Sequence, residues 1–171
     1  MPPELILDPT QVDLSRIMAD RQAIRANNPQ RFEMEQIDAI SLLDSTNHVI
    51  VGYKDVHSDE FWARGHMPAF ALMPGVLMCE AAAQLVSFYI VHIGLLNGDF
   101  IGFGGMEEVR FRGIVRPGDR LVLMGKGKRV HRRQSTFHCQ GFVGSTMVFH
   151  ADIIGVQLSL SRLTGGGGPE S

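Results

Sequence analysis

The stretch that decides the fold is residues 65–84, GHMPAFALMPGVLMCEAAAQ. From Val76 to Leu96 the chain is largely apolar, which is long enough for a helix that is buried nearly all round. Proline's fixed φ suits the first helical turn, so we expect this helix to begin near Pro74. A membrane span is disfavoured because Glu80 lies within the run, and an ionisable side chain inside a bilayer is costly.

Turn signals and alternating residues predict a sheet on both sides of this helix. Segments 37–43 and 48–56 are expected to form a hairpin around the polar turn 44–47. Gly94 or Gly98 is expected to end the helix. Later turns are expected at Gly104-Gly105, Pro117-Gly118-Asp119 and Gly144-Ser145. An apolar helix followed by strands with one apolar face predicts an α+β fold, in which an antiparallel β-sheet is wrapped around a long central α-helix.

The composition is that of one globular domain. The 171 residues are 44% hydrophobic and 20% charged, and the formal net charge of −2 disfavours a general nucleic-acid binder. Cys79 and Cys139 have no paired spacing and no secretory leader is recognisable at Met1, so free thiols and a cytoplasmic location are expected.

Three regions are expected along the chain. Residues 1–30 form an N-terminal extension, in which Asp8-Pro9 could open a short helix. That helix would carry Leu14, Ile17 and Met18 on one side. Residues 31–160 form the main domain, and residues 161–171 form a flexible Gly-rich tail.

The chain resembles the FabZ-like 3-hydroxyacyl-[acyl-carrier-protein] dehydratases of the hot-dog fold. The motif residues that match without a gap are Gly65, His66, Pro68, Met73, Pro74, Gly75, Val76, Glu80 and Gln84. Further matches are Arg31-Phe32, Gly105, Arg110-Phe111 and Pro117-Gly118-Asp119. The chain departs from the family at residues 69–72, where Gly-Arg-Pro and an aliphatic residue are usual, and at Ile101-Gly102, where the family often has tyrosines.

The motif supplies the groups that dehydration of a hydroxyacyl thioester needs. His66 is expected to act as the base and Glu80 as the acid. The backbone N–H groups of Gly75 and Val76, at the helix start, are expected to bind the thioester carbonyl as an oxyanion site. Gln84 lies one helical turn beyond Glu80, so we assign it a supporting role.

The spacing of these groups also predicts the oligomeric state. Glu80 is six residues beyond Pro74, roughly 9 Å along the helix axis, which is far for a substrate held at the helix start. A partner subunit could supply the missing group, and the resemblance also implies His and Glu from opposite protomers. We therefore expect a homodimer with two composite sites, and assembly into a trimer of dimers is left open.

The resemblance implies an acyl carrier protein with a phosphopantetheine-linked acyl chain as partner. A basic run could dock this acidic protein or form a solvated hairpin: Lys126, Lys128, Arg129, Arg132 and Arg133. No metal and no cofactor are expected, since the other histidines lack ligand spacing and no phosphate loop precedes a helix. The alternatives are a hot-dog thioesterase, a CoA-dependent enoyl hydratase and a non-catalytic hot-dog binding module.

Overall fold

The computed structural model describes residues 3–164. Its strands are β1 (Ala39–Asp44), β2 (Val49–Asp55), β3 (Phe100–Phe111), β4 (Arg120–Arg129), β5 (Gln134–Val143) and β6 (Thr146–Leu158). Its helices are α1 (Arg21–Asn27), α2 (Gly75–His92) and α3 (Leu160–Leu163). The strands form one antiparallel sheet in the order β1-β2-β4-β5-β6-β3, so β1 and β3 are its edges.

Helix α2 packs against one face of the sheet and forms the main core with it. Leu85 and Tyr89 on α2 are fully buried, as are Leu123 on β4 and Phe149 on β6. By length and composition α2 could cross a membrane, but most of its residues are buried within the fold, as in the core helix of a globular protein. The predicted arrangement, an antiparallel sheet around a long helix, is confirmed.

The predicted ends of these elements are close to those observed. Pro74 is the N-cap of α2, and Gly94, with φ of +73°, follows its last turn. The expected hairpin is β1–β2. The expected turn at Gly104-Gly105 is wrong, because both residues lie inside β3 at an irregularity in its pairing with β6. A Cβ at Gly104 would lie 2.6 Å from Val156 Cγ1, so this glycine permits close approach of the neighbouring strand.

A second apolar cluster covers the other face of the sheet. Its buried residues are Ala39, Val51, Tyr53, Val122, Met124 and Phe142. Residues 3–18, here called the N-terminal strap, pack over this cluster through Ile6, Leu7, Val12 and Leu14. The prediction that the strands after α2 have one apolar face is therefore wrong for β4, in which residues 121–125 are buried without interruption.

The predicted helix in the strap is present only as a first turn, and its expected continuation through Leu14, Ile17 and Met18 is wrong. Asp8 caps a short 3-10 turn at Pro9–Gln11, but the chain does not continue as a helix. The carboxylate of Asp13 accepts hydrogen bonds from the backbone N–H and hydroxyl of Ser15, which favours a turn over a helix. The residue pattern did not predict α1, which Asp20 caps. The expected flexible segment 165–171 lies outside the described residues.

Candidate active site

His66 is held in a loop that precedes α2. Its backbone N–H donates to Trp62 O at 2.8 Å, and its carbonyl accepts from the Leu72 N–H at 2.7 Å. The Nδ1 atom lies 2.8 Å from Leu72 O. A carbonyl oxygen only accepts, so Nδ1 carries the hydrogen and Nε2 of the neutral ring keeps its lone pair. The ring is half-buried, and in this tautomer Nε2 can accept a proton.

The start of α2 offers two backbone donors. Pro74 makes no side-chain cap, and its carbonyl accepts from the Leu77 N–H at 2.9 Å. The N–H groups of Gly75 and Val76 have no hydrogen-bond acceptor among residues 3–164, as is usual for the first turn of a helix. Val76 is 64% exposed, so a ligand can reach this turn.

Gly75 is required by a neighbouring aromatic ring. A Cβ at this position would lie 2.7 Å from Cε1 of Phe111, near the end of β3. A glycine at a helix start can let a ligand approach the backbone closely. In the structure, the space beside its Cα is instead filled by the ring of Phe111.

Glu80 is oriented by a fully bonded glutamine. Gln84, 2% exposed, donates from Nε2 to Glu80 Oε1 at 2.7 Å and to Met34 O at 2.6 Å. Its Oε1 accepts from the backbone N–H of Gln36 at 2.9 Å. The two backbone partners fix which end of the amide faces Glu80, so the carboxyl oxygen meets a donor. Oε2 of Glu80 has no hydrogen-bond partner within the described chain.

Glu80 lines a small cavity between α2, β3, β6 and the segment before β1. Its lining residues are Gln30, Glu80, Ala83, Val86, Ser87, Ile101, Gly102, Phe103, Ile153, Ile154 and Gly155. His66 is not among them. The structure therefore brings Gln84 to Glu80 but does not place His66 in the cavity of its own chain's Glu80.

Two residues of this cavity were not found from the sequence. Ser87 follows Glu80 by seven residues and so lies on the same side of α2. Helical spacing in the sequence could therefore have identified it. Gln30 lies 50 residues from Glu80 along the chain, and only packing of the intervening segment brings it there.

A polar cluster lies on the opposite side of the fold from the Glu80 cavity. Asp152 accepts hydrogen bonds from Lys128 Nζ at 2.6 Å and from His138 Nδ1 at 2.7 Å. Burial alone would raise the pKa of Asp152, but these hydrogen bonds outweigh burial and hold its pKa below the usual range. Burial and then the charge of Arg112 lower the pKa of His150, whose Nε2 lies 3.1 Å from that guanidinium.

The same cluster anchors the N-terminal strap. Gln140 is fully buried, and its Oε1 accepts from the Ile6 N–H at 3.0 Å. Its Nε2 donates to Glu4 O at 2.7 Å and lies 3.2 Å from His138 Nε2. One glutamine side chain therefore replaces the two backbone partners that a neighbouring strand would give the strap.

Neither cysteine has the character of a nucleophile. Cys79 and Cys139 are free and buried. Burial raises the pKa of the Cys79 thiol to about 11, and it raises that of Cys139 further. Both thiols are therefore protonated at neutral pH. Within residues 3–164, no group of three His, Cys, Asp or Glu side chains is placed to hold a metal ion.

The chain is similar in fold to several solved structures. The dehydratase heterocomplex ApeI:P from Xenorhabdus doucetiae aligns with a TM-score of 0.67 at 13% identity, covering 83% of this chain and 97% of that one. Cj0977, a sigma28-regulated virulence protein from Campylobacter jejuni, aligns with a TM-score of 0.59 at 15% identity, covering 86% and 96%. The E. coli PaaI protein from the phenylacetic acid degradation operon gives 0.55 at 13%, covering 69% and 81%.

These identities are too low to show more than the hot-dog fold. The family is shown by the sequence itself, because residues 28–152 match the family model of the FabA-like domain. That match spans most of the chain, including His66, Gly75, Glu80 and Gln84. The protein therefore belongs to the FabA-like domain family.

Proposed function

We propose that this protein is a (3R)-hydroxyacyl-[acyl-carrier-protein] dehydratase that forms trans-2-enoyl thioesters in fatty-acid biosynthesis. The observation that carries the proposal is the hydrogen bond between His66 Nδ1 and Leu72 O, which leaves Nε2 able to accept a proton. The half-buried carboxyl group of Glu80, oriented by Gln84, supplies an acid on the helix that follows.

The proposed reaction is a proton-assisted elimination. His66 Nε2 takes the proton alpha to the thioester carbonyl, and the charge that develops on the carbonyl oxygen is stabilised by the N–H groups of Gly75 and Val76. The electron pair of the broken C–H bond forms the new double bond. The bond from the beta carbon to its hydroxyl breaks, and Glu80 protonates that oxygen so that water leaves. No metal or cofactor takes part in these steps.

The site is proposed to be completed by a second copy of the chain. His66 does not line the cavity of Glu80, and that cavity borders β3, an edge strand with unpaired backbone groups. Three large apolar side chains on β3 are 43–50% exposed: Phe103, Met106 and Phe111. A homodimer formed along this strand would cover them and bring His66 of one protomer towards Glu80 of the other.

Mixing two inactive variants tests this arrangement. His66→Ala and Glu80→Gln should each abolish enoyl formation. Hybrid dimers made by refolding them together should recover about a quarter of the parent activity, since half of the dimers are hybrids with one intact site of two. A refolded mixture that stays inactive, although hybrid dimers are present, would contradict composite sites.

Charge placement bears on where an acidic carrier protein docks. The β4–β5 hairpin with its basic run lies near the end of α2, since Gly127 N–H donates to His48 O and His48 Nδ1 lies 2.7 Å from Tyr89 Oη. His66 precedes the start of α2. The length of this 18-residue helix, roughly 27 Å, therefore separates His66 from the end of α2. Arg110 and Arg112 flank Phe111 at the helix start and are the better candidates for docking.

The direct test is conversion of a short 3-hydroxyacyl thioester offered on acyl carrier protein and on coenzyme A. The parent protein should form enoyl product on the carrier protein. His66→Ala and Glu80→Gln should lose it with the fold intact, whereas the control His57→Ala, an exposed histidine, should keep it. Release of free thiol would favour the thioesterase, conversion on coenzyme A alone would favour the hydratase, and no turnover by the folded parent would favour the non-catalytic module.

A further inference from the structure

The cavity beside Glu80 is small, and polar and apolar atoms share its wall about equally. It has a volume of about 30 Å³, far below the several hundred cubic ångströms of a pocket for a drug-sized ligand. Val86, Ile101 and Ile153 supply apolar wall. A group that enters this cavity can therefore contain only a few non-hydrogen atoms.

Two residues that line this cavity each carry a buried polar atom with no hydrogen-bond partner among residues 3–164. These atoms are Ser87 Oγ and Gln30 Oε1. Ser87 as a whole is 4% exposed. Buried polar groups in folded proteins are nearly always paired with protein or with ordered water, so two unpaired ones in residues that line the same cavity as Glu80 call for a partner oxygen there, from a ligand or from water.

The hydrogen-bonding properties of these atoms define that partner. An amide oxygen only accepts, so Gln30 Oε1 needs a donor, whereas the Ser87 hydroxyl can donate or accept. Glu80, as the acid of the proposed mechanism, must give its proton to an oxygen. One neutral hydroxyl group satisfies all three, because it donates to Gln30 and accepts from Ser87 and Glu80. A cation or a carboxylate would not fit the mixture of donor and acceptor.

We propose that Gln30 and Ser87, together with Glu80, form a subsite for one hydroxyl oxygen, which in the dehydratase is the leaving 3-hydroxyl group of the substrate. The assignment rests on the proposed function and adds two residues that contact the substrate. In a hydrolytic enzyme the same subsite would hold the oxygen of an attacking water. The two sources differ in what they predict for substrates with and without a 3-hydroxyl group.

Binding without turnover tests the subsite. In a His66→Ala background, which lacks the base, calorimetry compares 3-hydroxybutyryl and butyryl thioesters of pantetheine. The hydroxylated ligand should bind about two- to tenfold more tightly, the value of one net hydrogen bond. Ser87→Ala or Gln30→Met should reduce this preference towards unity. Ser41→Ala is the matched control, since Ser41 is also buried with an unpaired hydroxyl but does not line this cavity.

The outcomes separate this proposal from the proposed function. Equal binding of the two thioesters by the His66→Ala protein, or a preference that both subsite variants keep, overturns the subsite even if the parent forms enoyl product. A preference that depends on Ser87 in a protein without dehydratase activity supports the subsite and refutes the function. If Ser87→Ala instead slows thiol release from butyryl thioester in the parent background, with no hydroxyl preference, the oxygen belongs to water.

Discussion

Replacing Gln84 by leucine should destabilise the fold strongly. Leucine is close in size, so the change leaves little cavity, but it removes the partner of the buried Gln36 N–H and that of the partly buried Met34 O. Leaving a buried group unpaired costs about 1–3 kcal/mol, so the Gln36 N–H alone gives an expected loss of about 1–3 kcal/mol. Since domains of this size are stable by about 5–15 kcal/mol, such a loss is a large fraction of the total.

Urea unfolding followed by circular dichroism measures this loss. The free energy of unfolding is extrapolated to water, and an unchanged m-value shows that the same structure unfolds. Ser87→Ala is the matched control. Ser87 lies one turn beyond Gln84 on α2, is buried, and has a hydroxyl without a partner in residues 3–164. It should change stability by less than about 1 kcal/mol. If Gln84→Leu costs no more than Ser87→Ala, the argument from unpaired backbone groups is wrong.

Three further predictions concern other parts of the fold. Gly75→Ala should lower thermal stability because its Cβ would meet the ring of Phe111 at 2.7 Å. Adding Phe111→Ala to Gly75→Ala should restore most of the loss. Equal loss in the double variant would refute this cause. Burial lowers the pKa of His150, so as the pH falls the unfolded state binds a proton at this side chain before the folded state does. The free energy of unfolding should therefore fall as the pH drops below about 6.5. His150→Gln should flatten this dependence in unfolding measured between pH 5 and 8. Gln140→Leu should speed hydrogen exchange at the Ile6 amide, whose acceptor is removed, while core amides keep their protection.

The sequence was most informative where structure depends on neighbouring residues. Helix α2 and its cap at Pro74 follow from a contiguous apolar run, and the hydrogen bond from Gln84 to Glu80 follows from one turn of helical spacing. The contacts that hold Gln84 from the other side could not be predicted in this way. Met34 and Gln36 contact it through backbone atoms, which carry no residue signature, across 50 and 48 positions.

Local patterns failed where distant packing decides the conformation. The strap has apolar residues at spacings that suit a helix, yet it is irregular, with short turns, and its apolar residues cover the second face of the sheet. The Gly104-Gly105 pair has the composition of a turn, but β3 continues through it because β6 lies close alongside. The cavity residue Gln30 was missed for the same reason, since it reaches Glu80 only after the chain has folded.

The strap has a consequence for the order in which the protein folds during synthesis. Ile6 and its acceptor in Gln140 are separated by 134 residues. At roughly 5–20 residues per second, a ribosome needs about 7–27 s to extend the chain from one to the other. During that interval the strap's apolar side chains have no sheet to cover. A segment made early is thus bound late, so its apolar side chains stay accessible to chaperones while the rest of the chain is made.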